Sequence, residues 1–84
     1  MVNFMNVYCK FVSVDGNKVT YMIGNFTNDI TGIIVIDYVE KKYDIIKQPE
    51  KEDVCTRHVD SMLLKYQPLF EKGEFPEKMS REIG

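Results

Sequence analysis

The sequence predicts an α+β fold, in which a four-stranded antiparallel β-meander carries one C-terminal α-helix on one face. Two observations predict it. The segment from Asp53 to Gly73 alone has a sustained helical period, because its apolar residues recur every three or four positions. The residues before it form short β-prone runs separated by turn residues, an order that favours adjacent hairpins. A sheet with one apolar face needs a cover, and the helix supplies it.

The first hairpin is predicted from strands at about 5–14 and 18–23, joined by the two-residue loop Gly16-Asn17. This register aligns one opposite-charge pair and two apolar pairs: Asp15 with Lys18, Val14 with Val19, and Val12 with Tyr21. A loop shifted by one residue would change every partner, and only the chosen register matches the hydrophobic residues.

The second hairpin is predicted from strands at about 32–38 and 43–47, joined by a four-residue loop at 39–42. It pairs Tyr38 with Tyr43, Ile36 with Ile45, and Ile34 with Lys47. On the reverse face this register sets Asp37 opposite Asp44, which is an unfavourable like-charge pair. The helix is then expected to cover the face formed by Val12, Val14, Val19, Tyr21, Ile34, Ile36 and Ile45.

The helix is predicted over about 51–72, with acidic residues near its first turn and Gly73 just past its end. Its buried stripe is Cys55, Val59, Met62, Leu63, Tyr66, Leu69 and Phe70. Pro68 removes a helical hydrogen bond, so a kink is expected near it. The tail at 74–84 is polar apart from a few residues, and we expect it to be partly disordered.

Composition excludes several classes of function. The 84-residue chain is long enough for one domain. Its net charge of −2 lacks the excess of positive charge that binding to nucleic-acid phosphates requires. No apolar run is long enough to span a membrane, and the N-terminus lacks the features of a signal peptide, so a cytoplasmic protein is expected. No glycine-rich phosphate loop follows a strand, and no cofactor is predicted.

Two cysteines and one histidine offer little for catalysis or metal binding. Cys9 and Cys55 are expected to be free, buried thiols of a reducing compartment. His58 follows Cys55 by three residues, a spacing that brings the two side chains together on a helix. No third orienting residue is identifiable, and three such ligands do not complete a zinc site, so neither a nucleophile nor a metal site is predicted.

The reverse face of the predicted sheet is more apolar than a solvated face should be. Its candidate interface residues are Cys9, Phe11, Met22, Ile33 and Val35. They could be covered by residues 2–5 or by the tail, or they could bind a second copy of the chain or another protein. A homodimer is the interpretation that we follow.

The polar segment at 24–32 is long for a connection in so small a domain, and long loops often carry function. Asn28 and Asp29 at its tip, together with Asp37 and Asp44, are the ligand candidates. A solvated connection and neutralisation of the two strand carboxylates by Lys41 and Lys42 remain the alternatives.

Three stretches resemble small uncharacterised proteins of low-GC Gram-positive bacteria: VDGNKVTY at 14–21, GIIVID followed by YDII, and KGEFPEK at 72–78. The resemblance implies strand pairs followed by one helix, in a bacterial cytosol, and it implies no activity. Since no motif specifies a reaction, the sequence favours a non-enzymatic protein-interaction or self-associating module. The alternative is a small ligand-binding protein or enzyme that uses the 24–32 loop with Asp37 and Asp44.

Overall fold

The structure, a computed structural model that describes residues 5–83, has an α+β fold with one antiparallel sheet and one helix. Its elements are β1 (Met5–Asp15), β2 (Lys18–Gly24), β3 (Gly32–Asp37), β4 (Lys42–Lys47), α1 (Thr56–Glu71) and β5 (Lys78–Ile83). The strand order is β4-β3-β2-β1-β5, and all neighbours are antiparallel. The α+β class with an antiparallel sheet is therefore confirmed, but the sheet has five strands where four were predicted, and the fifth follows the helix that was predicted to be C-terminal.

The fifth strand lies in the segment that the sequence predicted as a partly disordered tail. β5 pairs with β1, and Met79 on it is 2% exposed. The Tyr21 hydroxyl donates a 2.6 Å hydrogen bond to the carbonyl of Pro76 and so fixes the chain just before β5. The tail therefore widens the sheet at its edge instead of covering a face. Residues 1–4, part of the segment considered as a cover, and residue 84 lie outside the described residues.

The first hairpin has the predicted register only near its turn. Asp15 pairs with Lys18 and Val14 with Val19, as expected, and Gly16 has a φ of 62°, which favours glycine. Beyond that point Phe11, not Val12, is the partner of Tyr21. Val12 is an extra residue on β1, a β-bulge, and is 51% exposed.

Because of this extra residue, the side chains of β1 before Val12 point to the opposite sheet faces from those predicted. Cys9 and Phe11 therefore lie on the side of α1, where Cys9 is 1% exposed and the Phe11 ring meets the Tyr21 ring edge to face at 5.7 Å. The prediction that these two residues belong to the reverse face was wrong, because a strict period of two was assumed through the bulge.

The β3–β4 register differs from the predicted one because the four-residue turn lies at 38–41, one residue earlier than predicted, and a second bulge interrupts the pairing beyond Ile45. Ile46 is the extra residue on β4, and the register aligns Ile34 with Ile45, Ile36 with Tyr43, Asp37 with Lys42, and Val35 with Asp44. The predicted opposition of Asp37 and Asp44 is therefore wrong, and Asp37 faces a lysine instead. β3 ends at Asp37 because its carboxylate accepts hydrogen bonds from the N–H groups of Val39 and Glu40, which turns the chain.

The helix begins later than predicted because the backbone groups before it are bonded elsewhere. The N–H of Glu50 donates to the Thr31 hydroxyl oxygen, and the N–H of Lys51 donates to the Asp29 carboxylate. The Asn25 amide nitrogen donates to the carbonyls of residues 52 and 53. The carbonyls of residues 52 and 53 are those that a helix beginning near residue 51 would bond to residues 56 and 57, and here they accept from Asn25, so α1 starts at residue 56.

The helix continues through Pro68 and ends at Glu71. Its end is a Schellman motif, in which Gly73 (φ 77°) donates to the Phe70 carbonyl and the N–H of Glu74 donates to that of Leu69. With 16 residues α1 is short of the roughly 20 that a bilayer needs, and no helix in residues 5–83 could cross one.

The core lies between α1 and the sheet face that it covers. Its buried members are Val7, Cys9, Val19, Tyr21, Ile23, Ile34, Ile36, Val54, Val59, Met62, Phe70 and Met79. An aromatic group closes one end, where the Phe70 ring stacks on Phe75 at 5.8 Å and Tyr38 lies against both rings.

We expect Met79→Ala to lower the free energy of unfolding by about 2–4 kcal/mol, because it leaves a cavity between β5 and α1. The matched control is Lys78→Ala, one residue earlier on the exposed side of the same strand, which should change stability by less than about 0.5 kcal/mol. Urea unfolding followed by circular dichroism measures both variants. Equal, small effects would mean that β5 is not part of the folded domain.

Candidate functional site

The structure does not bring the four predicted ligand residues together. Asp29 and Asp37 are 3% and 7% exposed and belong to separate hydrogen-bond networks, whereas Asn28 and Asp44 are exposed. In residues 5–83 no three histidine, cysteine, aspartate or glutamate side chains are grouped as metal ligands would be. The buried carboxylates therefore need separate explanations.

The Asp29 carboxylate ties the 25–31 loop to the segment that precedes α1. One oxygen accepts from the Thr31 hydroxyl at 2.8 Å, and the other accepts from the N–H of Lys51 at 2.8 Å. Burial alone would raise the pKa of Asp29, but these hydrogen bonds and the charge of Lys51 outweigh it and hold the pKa below its usual value. Asp29 is thus a structural anion that fixes the loop.

The Asp37 carboxylate organises the turn between β3 and β4. One of its oxygens accepts from the N–H of Glu40 and of Val39 and from the Asn17 side-chain amide, at 2.9, 3.2 and 2.9 Å. The hydrogen bond from Glu40 is the main cause of a lowered pKa, and those from Asn17 and Val39 add to it. Asp37 therefore joins the two hairpin turns at one end of the sheet.

The two thiols differ in exposure, contrary to the prediction that both are buried. Cys9 is buried, its Sγ lies 3.8 Å from the Sδ of Met62, and burial raises its pKa to about 12. Cys55 is exposed because it is the N-cap residue of α1, just outside the helical stripe. Neither cysteine is in a disulfide.

Three of the five predicted interface residues remain on the sheet face opposite α1. Met22 and Ile33 are direct cross-strand partners, and Val35 follows on the same side of β3. All three are half-buried, and none is among the side chains that pack on the core. We refer to Met22, Ile33 and Val35, with Thr20 beside Val35, as the open-face patch.

A cleft borders this patch on the β1–β5 side of the sheet. It has a volume of about 300 Å³ and is lined by Tyr8, Cys9, Lys10, Thr27, Ile30, Lys78, Met79 and Ser80. The 25–31 loop forms one wall, with Thr27 and Ile30 rather than the predicted Asn28 and Asp29. Lys10 and Lys78 were not predicted as site residues, because they lie close together only through the pairing of β1 with β5, a strand that was not predicted.

A second groove of about 310 Å³ lies between α1 and the β3–β4 hairpin, with Ile36, Tyr43, Leu63 and Leu64 among its lining. The Tyr43 hydroxyl donates to the Asp60 carboxylate at 2.9 Å. Burial, followed by this hydrogen bond and the Asp60 charge, raises the pKa of Tyr43 to about 12. A neutral phenol with such a pKa is a poor general base at neutral pH.

We expect acid to destabilise the protein through Asp29 and Asp37. Their pKa values are lowered in the folded state, so their stabilising effect is present above the unfolded value of about 4 and is lost as the pH falls through the folded values. Asp29→Asn should therefore be less stable at neutral pH and show a shallower loss in acid. Urea midpoints measured over the acid range test this, with exposed Asp44→Asn as the control; parallel wild-type and Asp29→Asn curves would contradict it.

We expect iodoacetamide to label the native protein once, at exposed Cys55, because buried Cys9 carries a protonated thiol with a raised pKa. Mass spectrometry after labelling with and without urea measures this, and Cys55→Ser is the control that should remove native labelling. Rapid native modification of Cys9 would show that β1 and α1 separate readily.

Comparison with known proteins gives no match: no family model, no curated protein and no solved structure is significantly similar to the chain. The resemblance to small proteins of low-GC Gram-positive bacteria stays a prediction, and function must be argued from the geometry alone.

Proposed function

We propose that the protein is a non-enzymatic, self-associating interaction module of a bacterial cytosol, and that a second copy of the chain covers its open-face patch. The observation that carries this proposal is the continuity of the patch. Met22 and Ile33 lie directly opposite each other on β2 and β3, and Val35 extends the apolar surface along β3. Cross-strand partners of this kind present one joined surface.

The other elements of the described chain leave this surface uncovered. α1 packs on the opposite face, and β5 extends the sheet at its edge. The 25–31 loop approaches this face where β2 ends, at Gly24, where an added Cβ atom would collide with the Asp29 carbonyl oxygen. The patch is therefore bordered by the loop and is not filled by it.

Burial of the patch would contribute much for a domain of this size. Burying one large apolar side chain from full exposure is worth roughly 1.5–3 kcal/mol, and the three half-buried side chains would each gain a part of this, whereas small domains are stable by only about 5–15 kcal/mol in total. In a dimer with a two-fold axis between two facing sheets, the open-face patch of each protomer packs on the same patch of the other protomer. Two-fold dimers are the commonest soluble assemblies.

We expect wild-type protein to sediment as a dimer at micromolar concentration and Ile33→Lys to sediment as a monomer, because a lysine in the facing patches places unpaired charge in an apolar contact. Val39→Lys is the matched control, since Val39 is 62% exposed in the β3–β4 turn, away from the patch. It should leave the mass unchanged. A monomeric wild-type protein, or equal effects of the two variants, would remove the proposal.

A further inference from the structure

We propose that the cleft between the 25–31 loop and strands β1 and β5 binds the phosphate group of a small organic phosphate monoester, with Lys10 and Lys78 as the cationic groups. This ligand site goes beyond self-association and uses different residues of the same sheet face. The proposal rests on the placement of the two lysines, on the composition of the cleft and on the fixed position of its loop wall.

Lys10 and Lys78 face each other directly across β1 and β5. The next pair along the ladder is joined by a 2.8 Å hydrogen bond from the N–H of Phe11 to the Glu77 carbonyl. In the other direction, the N–H of Ser80 points to the Tyr66 hydroxyl at 3.3 Å instead of to β1. Pairs alternate along an antiparallel ladder, so Lys10 and Lys78 form a non-hydrogen-bonded pair, in which side chains lie closest.

Lysines directly opposite each other on neighbouring strands form an unfavourable like-charge pair. No aspartate or glutamate is among the described residues that line the cleft. A dianionic group between the two lysines would replace their repulsion with two charge-assisted contacts. Because the whole chain carries a net charge of −2, this positive site is local and does not reflect a generally basic protein.

The rest of the lining suits a phosphate that carries a small apolar substituent. Thr27 and Ser80 bring hydroxyl groups, which donate readily to phosphate oxygens, and Ile30 and the ring of Tyr8 bring apolar surface. The volume of about 300 Å³ is at the lower end of the range for small-molecule sites. Phenyl phosphate is a probe of this size and shape.

The loop wall is held in place before any ligand binds. The Asp29 carboxylate and the Thr31 hydroxyl oxygen accept the N–H groups of Lys51 and Glu50, and the N–H of Asp29 donates to the Phe26 carbonyl at 3.0 Å. Gly24 permits the close approach of this loop to β2. A preformed wall lowers the ordering cost of binding.

The test is a titration of ¹⁵N-labelled full-length protein with phenyl phosphate at constant ionic strength, followed by backbone amide shifts. Saturable shifts should cluster in the 25–31 loop and in β1 and β5 around Lys10 and Lys78. Inorganic phosphate should shift the same amides more weakly, because it leaves Ile30 and Tyr8 without contact. Benzenesulfonate has the same phenyl ring but a singly charged anionic group, so it should bind about fivefold more weakly than the dianionic phenyl phosphate.

Lys10→Gln and Lys78→Gln should each weaken phenyl phosphate binding by about fivefold or more. Lys47→Gln is the matched control, because Lys47 is an exposed lysine on the same face at the opposite edge, and it should bind as wild type does. Each variant should keep the wild-type amide spectrum outside the cleft. The same titration of Ile33→Lys tests whether the cleft binds phenyl phosphate when the proposed dimer is disrupted. The proposal is wrong if phenyl phosphate causes no saturable shift, or if Lys47→Gln weakens binding as much as the cleft variants do.

Discussion

The arrangement of the sheet depends on one extra residue in its longest strand. Val12 forms a bulge in β1, so the part before it presents Cys9 and Phe11 to α1, while the part after it aligns Val14 with Val19. Without the bulge, Lys10 would point into the core in place of its neighbours. β5 pairs with β1 only before the bulge, so the bulge also decides that Met79 is buried and that Lys78 faces solvent. The faces to which the residues of β5 and of the first part of β1 belong follow from this irregularity.

Local sequence patterns predicted the features that depend on local contacts. The Gly16-Asn17 turn, the opposite-charge pair beside it and the helical stripe through Val59, Met62 and Phe70 each follow from spacing and turn chemistry within a few residues. The bulge was missed because Phe11 and Val12 are adjacent apolar residues. Either one satisfies an alternating pattern, and only the packing against α1 distinguishes them.

Features that depend on distant residues were not predictable in this way. The segment before α1 is held by hydrogen bonds that the N–H groups of Lys51 and Glu50 donate to Asp29 and Thr31, which precede the helix by more than twenty positions. The candidate cleft likewise needs a strand whose only fully buried described side chain is Met79, too little apolar signal for a prediction. The open-face patch was predicted for Met22, Ile33 and Val35, because β2 and the matching part of β3 pair without irregularity.

The position of β5 beside β1 also constrains the order of folding. The hairpins β1–β2 and β3–β4 need only local contacts and can form early, but the pairing of β1 with β5 joins the two ends of the described chain. During synthesis on a ribosome, one edge of β1 therefore stays unpaired until β5 has left the exit tunnel. For that interval Val7 and Cys9 lack Met79 as a neighbour, and β1 has a free edge that can pair with another nascent chain.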